Sequence, residues 1–69
     1  MEKIQISLAA ARVNAGLTQE DMAREMHVSK NTIVNWEKGR VAPKFAQLEM
    51  YCKLCNISKD NIFLSSKLT

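Results

Sequence analysis

Residues 29–39 contain the side chains whose types and spacing are best suited to hydrogen bonding with another molecule. Ser29 is a typical helix N-cap residue, and Gly39 is typical of the position just after a helix ends. In a helix between them, Ile33 and Trp36 point to the same side. The polar residues around the exposed N-terminal part of that helix are Lys30, Asn31, Thr32 and Asn35. The segment predicts a short helix that is apolar on one face and polar on the other.

The chemistry open to these polar side chains is the recognition of base pairs. Lysine can donate hydrogen bonds to O6 and N7 of guanine, asparagine can pair with N6 and N7 of adenine, and the threonine methyl can contact the methyl of thymine. We therefore predict contacts to DNA bases from Lys30, Asn31, Thr32 and Asn35. The alternative, that they are ordinary solvated residues of a surface helix, is equally good when the segment is considered alone.

The charge of the chain supports a nucleic-acid partner. The 69 residues carry a formal net charge of +3. Residues 28–44 hold four cations and one anion, whereas the rest of the chain holds six of each. The excess is confined to one segment, as expected if a single surface faces phosphate. A chain of this length forms one small domain, so we predict a single domain over residues 1–69 with its core in residues 6–64.

Composition also bears on compartment and chemistry. No apolar run reaches the roughly 18 residues that a membrane span needs, and the first residues lack a secretory signal. We therefore expect a cytoplasmic protein with no membrane partner, in which Cys52 and Cys55 are free thiols. Their C-x-x-C spacing also occurs in zinc and redox sites, but a zinc site usually needs four ligands and a redox pair usually begins a helix. We favour two core cysteines and expect no metal and no cofactor.

Helix signals divide most of the chain into short helices. Helix one follows Ser7 and ends at Gly16, and helix two begins after the N-cap Thr18. Helix three is the segment after Ser29. The link between helices two and three is very short, so the two helices must meet at a steep angle. This geometry predicts a helix-turn-helix.

Two more helices are predicted after the loop that follows Gly39. Helix four carries apolar residues at helical spacing and is expected to end at Asn56 in left-handed geometry. Ser58 can cap a fifth short helix that carries Ile62 and Phe63. The polar tail of the chain, residues 65 to 69, is expected to fray. No strand pattern is present, so the predicted fold class is all-α.

The order and spacing of these features resemble the helix-turn-helix domain of phage repressor and Cro-type regulators, also called the xenobiotic-response-element family. The matching segments are GLTQEDMA (residues 16–23), VSKNTI (28–33) and WEKGR (36–40), followed by Pro43 and the apolar pattern up to Ile57. The resemblance covers residues 6–64. It implies a compact, five-helix, lambda-repressor-like DNA-binding domain in which helices two and three form the helix-turn-helix.

The resemblance also implies roles for particular residues. The family's base-contacting positions are occupied by Lys30, Asn31 and Asn35. Gln19, in the first turn of helix two, corresponds to a glutamine that binds phosphate and braces the recognition helix. Arg12 and Glu37 correspond to a structural ion pair that fixes the recognition helix. Further phosphate contacts are expected from Ser29, Lys38, Arg40 and Lys44.

His27 departs from the family pattern, which commonly has glycine at this turn. Glycine is favoured where φ is positive, and a histidine in that conformation is strained by about 1 kcal/mol or more. We expect no metal-binding or catalytic role for His27. Trp36 is expected to pack in the core rather than to stack on a base.

Together these features predict a sequence-specific, double-stranded DNA-binding transcriptional regulator, a phage or prophage-type repressor or Cro-like protein, which binds a palindromic operator as a homodimer. The candidate dimer surface is the apolar group Ile62, Phe63 and Leu64. The alternative is a protein-interaction module of the same fold, an antitoxin or anti-repressor, with weak or no DNA binding. The chain lacks a nucleophile–base pair, an acid pair and a phosphate-binding glycine loop, so we expect neither an enzyme nor a small-molecule substrate.

Overall fold

A computed structural model, which describes residues 5–64, contains four α-helices and a two-stranded sheet. The helices are α1 (Leu8–Asn14), α2 (Gln19–Met26), α3 (Lys30–Glu37) and α4 (Phe45–Leu54). The strands are β1 (Ile6–Ser7), directly before α1, and β2 (Ile62–Phe63), which follows a 3-10 turn at Lys59–Asn61. In this part of the chain, no helix is long and apolar enough to cross a membrane. The tail that was expected to fray, residues 65–69, lies outside the described residues.

Hydroxyl side chains begin three of the helices. Ser7 Oγ accepts a hydrogen bond from the backbone of α1 at 3.1 Å, and Ser29 Oγ accepts one from the backbone of α3 at 3.1 Å. Thr18 and Asp21 form a capping box, in which each side chain accepts from the backbone N of the other at 2.9 Å. The predicted N-caps at Thr18 and Ser29 are confirmed.

Residues in left-handed geometry follow the helices. Gly16 (φ 77°) lies after α1, and Gly39 (φ 75°) lies after α3. His27 (φ 57°) and Asn56 (φ 56°) take the same conformation after α2 and α4. The predicted positive φ of His27 and the predicted left-handed Asn56 are thus confirmed. Asparagine tolerates this region better than most residues, so the backbone strain is concentrated at His27.

The predicted fifth helix is wrong, and so is the expectation that the chain has no strand. Ser58 Oγ does accept from Asp60 N, at 3.2 Å, but only a 3-10 turn forms there. Ile62 and Phe63 extend as β2 instead, which pairs in parallel with β1 and places Ile62 opposite Ile6. Pairing satisfies backbone groups that a very short helix would leave open, and β-branched and aromatic side chains favour a strand. The described fold is mostly helical, with four helices rather than five.

The core lies between the helices and includes one residue of β2. Its largest fully buried side chains are Tyr51 of α4, Met22 of α2 and Ile33 of α3. Trp36 is 5% exposed, which confirms that its ring packs in the core. The other buried residues are Leu8, Ala11, Ala23, Cys52, Cys55 and Ile62. Both cysteines are therefore core residues, as predicted.

Candidate nucleic-acid interface

A three-residue turn, residues 27–29, joins α2 to α3. The left-handed backbone of His27 redirects the chain, and Val28 N donates to Ala23 O at 3.0 Å, which holds the turn against α2. Ser29 then caps α3. The two helices pack against each other. This geometry is a helix-turn-helix, in which the turn fixes the start of the second helix relative to the first.

The two faces of α3 differ as the sequence predicted. Ile33 is fully buried and Trp36 nearly so. Lys30 and Asn31 are exposed, and Thr32 and Asn35 are half-buried. The N-terminal part of α3 therefore presents polar side chains to solvent while its other side anchors the helix in the core.

Three of the four predicted base-reading side chains have partners within the protein. Thr32 Oγ1 lies 2.9 Å from Ser29 Oγ, and Lys30 and Asn35 contact charged side chains. Lys30 Nζ lies 2.8 Å from Glu20 Oε2, in the first turn of α2. Asn35 Oδ1 accepts a hydrogen bond from Arg40 Nη1 at 3.3 Å. Both contacts are exposed, so each can be exchanged for a contact to DNA at low cost.

The predicted phosphate-contacting residues lie at three places around α3. Gln19 is in the first turn of α2 and is half-buried. Ser29 is the N-cap of α3, and its Oγ also lies 2.9 Å from Thr32 Oγ1. The exposed cations of the loop between α3 and α4 are Lys38, Arg40 and Lys44. Of these cations, the structure brings Arg40 to the base-reading group, through its contact with Asn35.

The carboxylate of Glu37, at the end of α3, binds side chains from all three other helices. Its Oε2 accepts from Arg12 Nε of α1 at 2.8 Å and from the Tyr51 hydroxyl of α4 at 2.6 Å. Its Oε1 accepts from Arg12 Nη2 at 3.2 Å and from Gln19 Nε2 of α2 at 3.1 Å. A further hydrogen bond, 2.8 Å long, joins Arg12 Nη1 to Leu17 O. We call Glu37, Arg12, Gln19 and Tyr51 the Glu37 cluster.

The charges of the Glu37 cluster are stabilised by these hydrogen bonds. The Glu37 side chain is only 5% exposed and that of Arg12 12% exposed. Burial opposes ionisation of Glu37, but the hydrogen bonds from Arg12, Tyr51 and Gln19 outweigh it and lower the pKa of Glu37. The hydrogen bond to Glu37 in turn raises the pKa of Arg12. Both groups are charged at neutral pH, and the cluster links the end of α3 to each of the other three helices.

Tyr51 is the member of the cluster that sequence reasoning missed, because its spacing assigned it to the apolar face of the fourth helix. It is fully buried, and its hydroxyl also lies 2.9 Å from the backbone oxygen of Leu8. Burial and the contact with Glu37 raise the pKa of Tyr51, so the hydroxyl remains a donor. The available signal was its residue type, since a buried tyrosine needs a hydrogen-bond partner that a phenylalanine does not.

The predicted dimer surface is only partly available in the single chain. Ile62 is 7% exposed and belongs to the core, so the expectation that it lies on the surface is wrong. The reason is the pairing of β2 with β1, which turns Ile62 inward. Phe63 is 41% exposed, and Leu64 is half-buried against the core. These two residues border a cavity of about 220 Å³ that Trp36 also lines.

The two cysteines are free and buried. Burial raises the pKa of Cys55 to about 11, and it also raises the pKa of Cys52. Both are therefore protonated at neutral pH, and a protonated buried thiol is a poor nucleophile and metal ligand. Within residues 5–64, no group of three or more histidine, cysteine, aspartate or glutamate side chains is arranged to hold a metal ion.

Comparison with known proteins agrees with this geometry. The Helix-turn-helix family model matches residues 8–62, from the first residue of α1 into β2. The chain belongs to the Cro/C1-type helix-turn-helix family. In DNA-binding helix-turn-helix motifs, the second helix of the motif contacts the DNA bases. In this chain α3 occupies that position in the motif.

A curated relative of this helix-turn-helix chain is the HTH-type transcriptional activator BcrR of Enterococcus faecalis. The two are 30% identical over 61 residues, which cover 88% of this chain and 30% of the relative. The chain thus spans less than a third of the length of that protein. No solved structure matches the present chain significantly.

Proposed function

We propose that this chain is a sequence-specific, double-stranded DNA-binding transcriptional regulator that places α3 in the major groove. The observation that carries the proposal is that α3, the second helix of the helix-turn-helix, has one buried apolar face and one exposed polar face. Ile33 and Trp36 anchor one side of it in the core, and Lys30 and Asn31 are exposed on the other. A helix held in this way can enter a groove without disturbing the fold.

Two further observations support DNA as the partner. The positive excess of the chain lies in residues 28–44, which contain α3 and the loop after it. An electrostatic attraction to phosphate would therefore act on the same surface that carries the reading side chains. Membership of the helix-turn-helix family and the similarity to a protein named as a transcriptional activator favour a role in transcription.

The proposed contacts divide into two groups. Base edges are read by Lys30, Asn31, Thr32 and Asn35. The phosphate backbone is bound by Gln19, Ser29, Lys38, Arg40 and Lys44. On binding, the Lys30 contact to Glu20 and the Asn35 contact to Arg40 rearrange or are shared with DNA.

A homodimer on a palindromic operator is part of the proposal. One recognition helix reads only a few base pairs, so useful specificity needs two half-sites about one helical turn, roughly 34–36 Å, apart. We place the dimer interface around β2. Phe63 favours this location, because it is an apolar residue that is 41% exposed and borders a cavity.

The dimer is tested by Phe63→Glu, compared with Phe45→Glu. Phe45 is also an exposed phenylalanine, 65% exposed, but it lies at the start of α4. Phe63→Glu should lower the affinity for a two-half-site operator and the dimer fraction in sedimentation, and Phe45→Glu should change neither. Equal effects of both substitutions would exclude Phe63 as the interface.

The sign of regulation is a finer proposal. The resemblance to phage repressor and Cro-type domains favours repression by a phage-type regulator, whereas the similar BcrR is named an activator. A reporter promoter that overlaps the selected operator separates the two. Lower reporter output on expression of the protein supports repression, and higher output contradicts it.

The experiment that tests DNA reading is selection from random-sequence duplex DNA at two salt concentrations, followed by sequencing. The wild type is compared with the triple variant Lys30→Ala, Asn31→Ala, Asn35→Ala. A control, Asn14→Ala with Lys53→Ala, removes one asparagine and one lysine from exposed positions outside α3.

An enriched palindrome that the triple variant loses and the control retains would support direct readout. Affinity for DNA should also fall steeply as the salt concentration rises. Lysine and arginine side chains that bind phosphates displace counterions from the DNA, and added salt opposes that displacement. If a folded wild-type protein enriches no motif, the proposal is wrong, and the protein-interaction module of the same fold becomes the better explanation.

A further inference from the structure

A carboxylate lies beside the first residue of α3, on the surface that the proposed function turns toward DNA. The Glu20 side chain is 62% exposed and that of Lys30 54%, and Glu20 Oε2 lies 2.8 Å from Lys30 Nζ. A negative charge at this place opposes binding to a polyanion. Because Glu20 contacts a lysine that is predicted to read a base, we asked which benefit to DNA binding could offset the repulsion between its carboxylate and the DNA.

The place of Glu20 relative to α3 is well fixed. Thr18 and Asp21 form the capping box that sets the first turn of α2. Gln19, the neighbour of Glu20, donates to Glu37 at the other end of α3. The first turn of α2 therefore contacts both the first and the last residue of α3, and Glu20 reaches Lys30 from a rigid base.

This ion pair differs from the other exposed pairs in the described part of the chain. Arg24 and Asp21 pair within α2, and Lys59 pairs with Glu49 of α4. Among the exposed pairs of residues 5–64, only the Glu20 contact reaches a residue predicted to read DNA.

Pairing with a carboxylate changes what a lysine does near DNA. An ammonium group has three donors, and one donor given to Glu20 leaves two for O6 and N7 of guanine. The pair is close to neutral as a unit, so its attraction to phosphate is weaker than that of a free lysine. A free lysine on a flexible stem would instead bind whichever backbone phosphate is nearest.

We propose that Glu20 is a specificity-determining residue that positions Lys30 Nζ for guanine and keeps it from the phosphate backbone. The inference rests on the proposed function, since it assigns Lys30 a base to read. It predicts that Glu20 lowers overall affinity for DNA and raises discrimination between sequences.

The test uses Glu20→Gln and, as a matched control, Glu25→Gln, which removes the same charge from the exposed C-terminal part of α2. Both are also made in a Lys30→Ala background. Binding is measured to random-sequence duplex and to the operator selected by the wild type, with each base pair of one half-site varied in turn, over a range of salt concentrations. Circular dichroism checks that every variant is folded.

Glu20→Gln should bind random-sequence DNA more tightly, and the slope of log affinity against log salt should steepen by about 0.9, the value for one added phosphate contact. The preference for guanine at one half-site position should fall by roughly tenfold, at the lower end of the value of a good base contact. Glu25→Gln should change neither the slope nor the base preference. In the Lys30→Ala background, Glu20→Gln should have no effect on base preference.

The outcomes separate this inference from the proposed function. If the wild type selects a motif that depends on α3 but Glu20→Gln retains the full guanine preference, the inference is wrong and the proposed function stands. The same holds if Glu20→Gln and Glu25→Gln act equally, or if Lys30→Ala leaves every base preference unchanged. If the wild type selects no motif, both proposals are wrong.

Discussion

The hydroxyl of Tyr51 has a single hydrogen and two acceptors within reach, the Glu37 carboxylate at 2.6 Å and the Leu8 carbonyl at 2.9 Å. Hydrogen bonds to an ionised acceptor are shorter and stronger than bonds between neutral groups. The shorter distance to Glu37 indicates that the hydrogen points mainly to the carboxylate. This one hydroxyl thus joins α4 to the end of α3.

Tyr51→Phe should therefore destabilise the protein although phenylalanine fills nearly the same space. The expected loss is roughly 1.5–3 kcal/mol of unfolding free energy, the range for a hydrogen bond to a charged group. Urea denaturation measures it. In a Glu37→Gln background the same substitution should cost clearly less, and equal costs in both backgrounds would show that the two side chains are not coupled.

Glu37 should make stability depend on pH in the acid range. Its pKa is lowered in the folded state from an ordinary value of 4.5, so folding favours the ionised form. The resulting stabilisation is fully present above the unfolded-state pKa and is lost as pH falls through the lower pKa of the folded state. At neutral pH the free energy of unfolding of the wild type should exceed that of Glu37→Gln by about 3 kcal/mol, because the substitution leaves the Arg12 charge without its partner.

The measurement is urea denaturation of both proteins from pH 7 down to pH 3. The difference between them should be constant near neutrality and should narrow below the ordinary glutamate pKa. Glu25 is an exposed residue of α2, so Glu25→Gln controls for the general effect of removing a carboxylate. A difference that does not change with pH would mean that Glu37 is not ionised in the folded protein.

At the scale of elements, the turn between α2 and α3 contains an avoidable strain. His27 holds a φ of 57°, a region in which a residue with a Cβ is strained and glycine is not. His27→Gly should raise the free energy of unfolding by about 1 kcal/mol and leave DNA affinity unchanged. Asn56→Gly, at φ 56°, should have a smaller effect because asparagine tolerates this geometry. Thermal unfolding tests both, and a lower melting temperature for His27→Gly would contradict the strain.

The short sheet should matter more to stability than its length implies. Ile62 is 7% exposed, and its strand joins the first described element to the last. Ile62→Ala should cost about 2–5 kcal/mol through lost burial and a cavity. Phe63→Ala, at a neighbouring 41% exposed position, should cost much less. Comparable losses in denaturation experiments would show that Phe63 also belongs to the core.

Local signals predicted the four α-helices but missed the sheet, and they added a fifth helix that does not form. The caps at Thr18 and Ser29 and the left-handed residues after helices depend on neighbours within a few positions, so the sequence carries them directly. The pairing of Ile6 with Ile62 joins distant parts of the chain, and a two-residue strand has too few positions to show alternation. A cap at Ser58 is compatible with a helix or a turn, and the contact with β1 decides between them.

At the scale of the whole molecule, the affinity for DNA should depend on the positively charged side chains around α3. Lys38→Ala and Lys44→Ala should each reduce the slope of log affinity against log salt by about 0.9 without changing base preference. Arg40→Ala should reduce the slope and also alter base preference, because Arg40 contacts Asn35. Lys53→Ala, an exposed cation on α4, is the control. A slope equally sensitive to Lys53 would mean that the whole surface, not this segment, attracts DNA.

The candidate site was predictable in part. Residue type and helical spacing separate the core face of α3 from its exposed face, and the structure places Ile33 and Trp36 accordingly. The pairing of Arg12 with Glu37 came from the family resemblance, since no spacing rule connects two residues on different helices. The contacts of Tyr51 and Glu20 depend on how α4 and α2 pack against α3, which a single sequence does not show.

The two faces of α3 also bear on how this domain can be retargeted. The side chains that hold α3 in the fold are Ile33, Trp36 and Glu37. Positions 30 and 31 are exposed and position 35 is half-buried. None of the three belongs to the buried core, so their exchange should leave the core packing intact. Under the proposed function, this separation would let new operator preferences be selected from a small library of variants at these positions, with Glu37 kept unchanged to attach the helix.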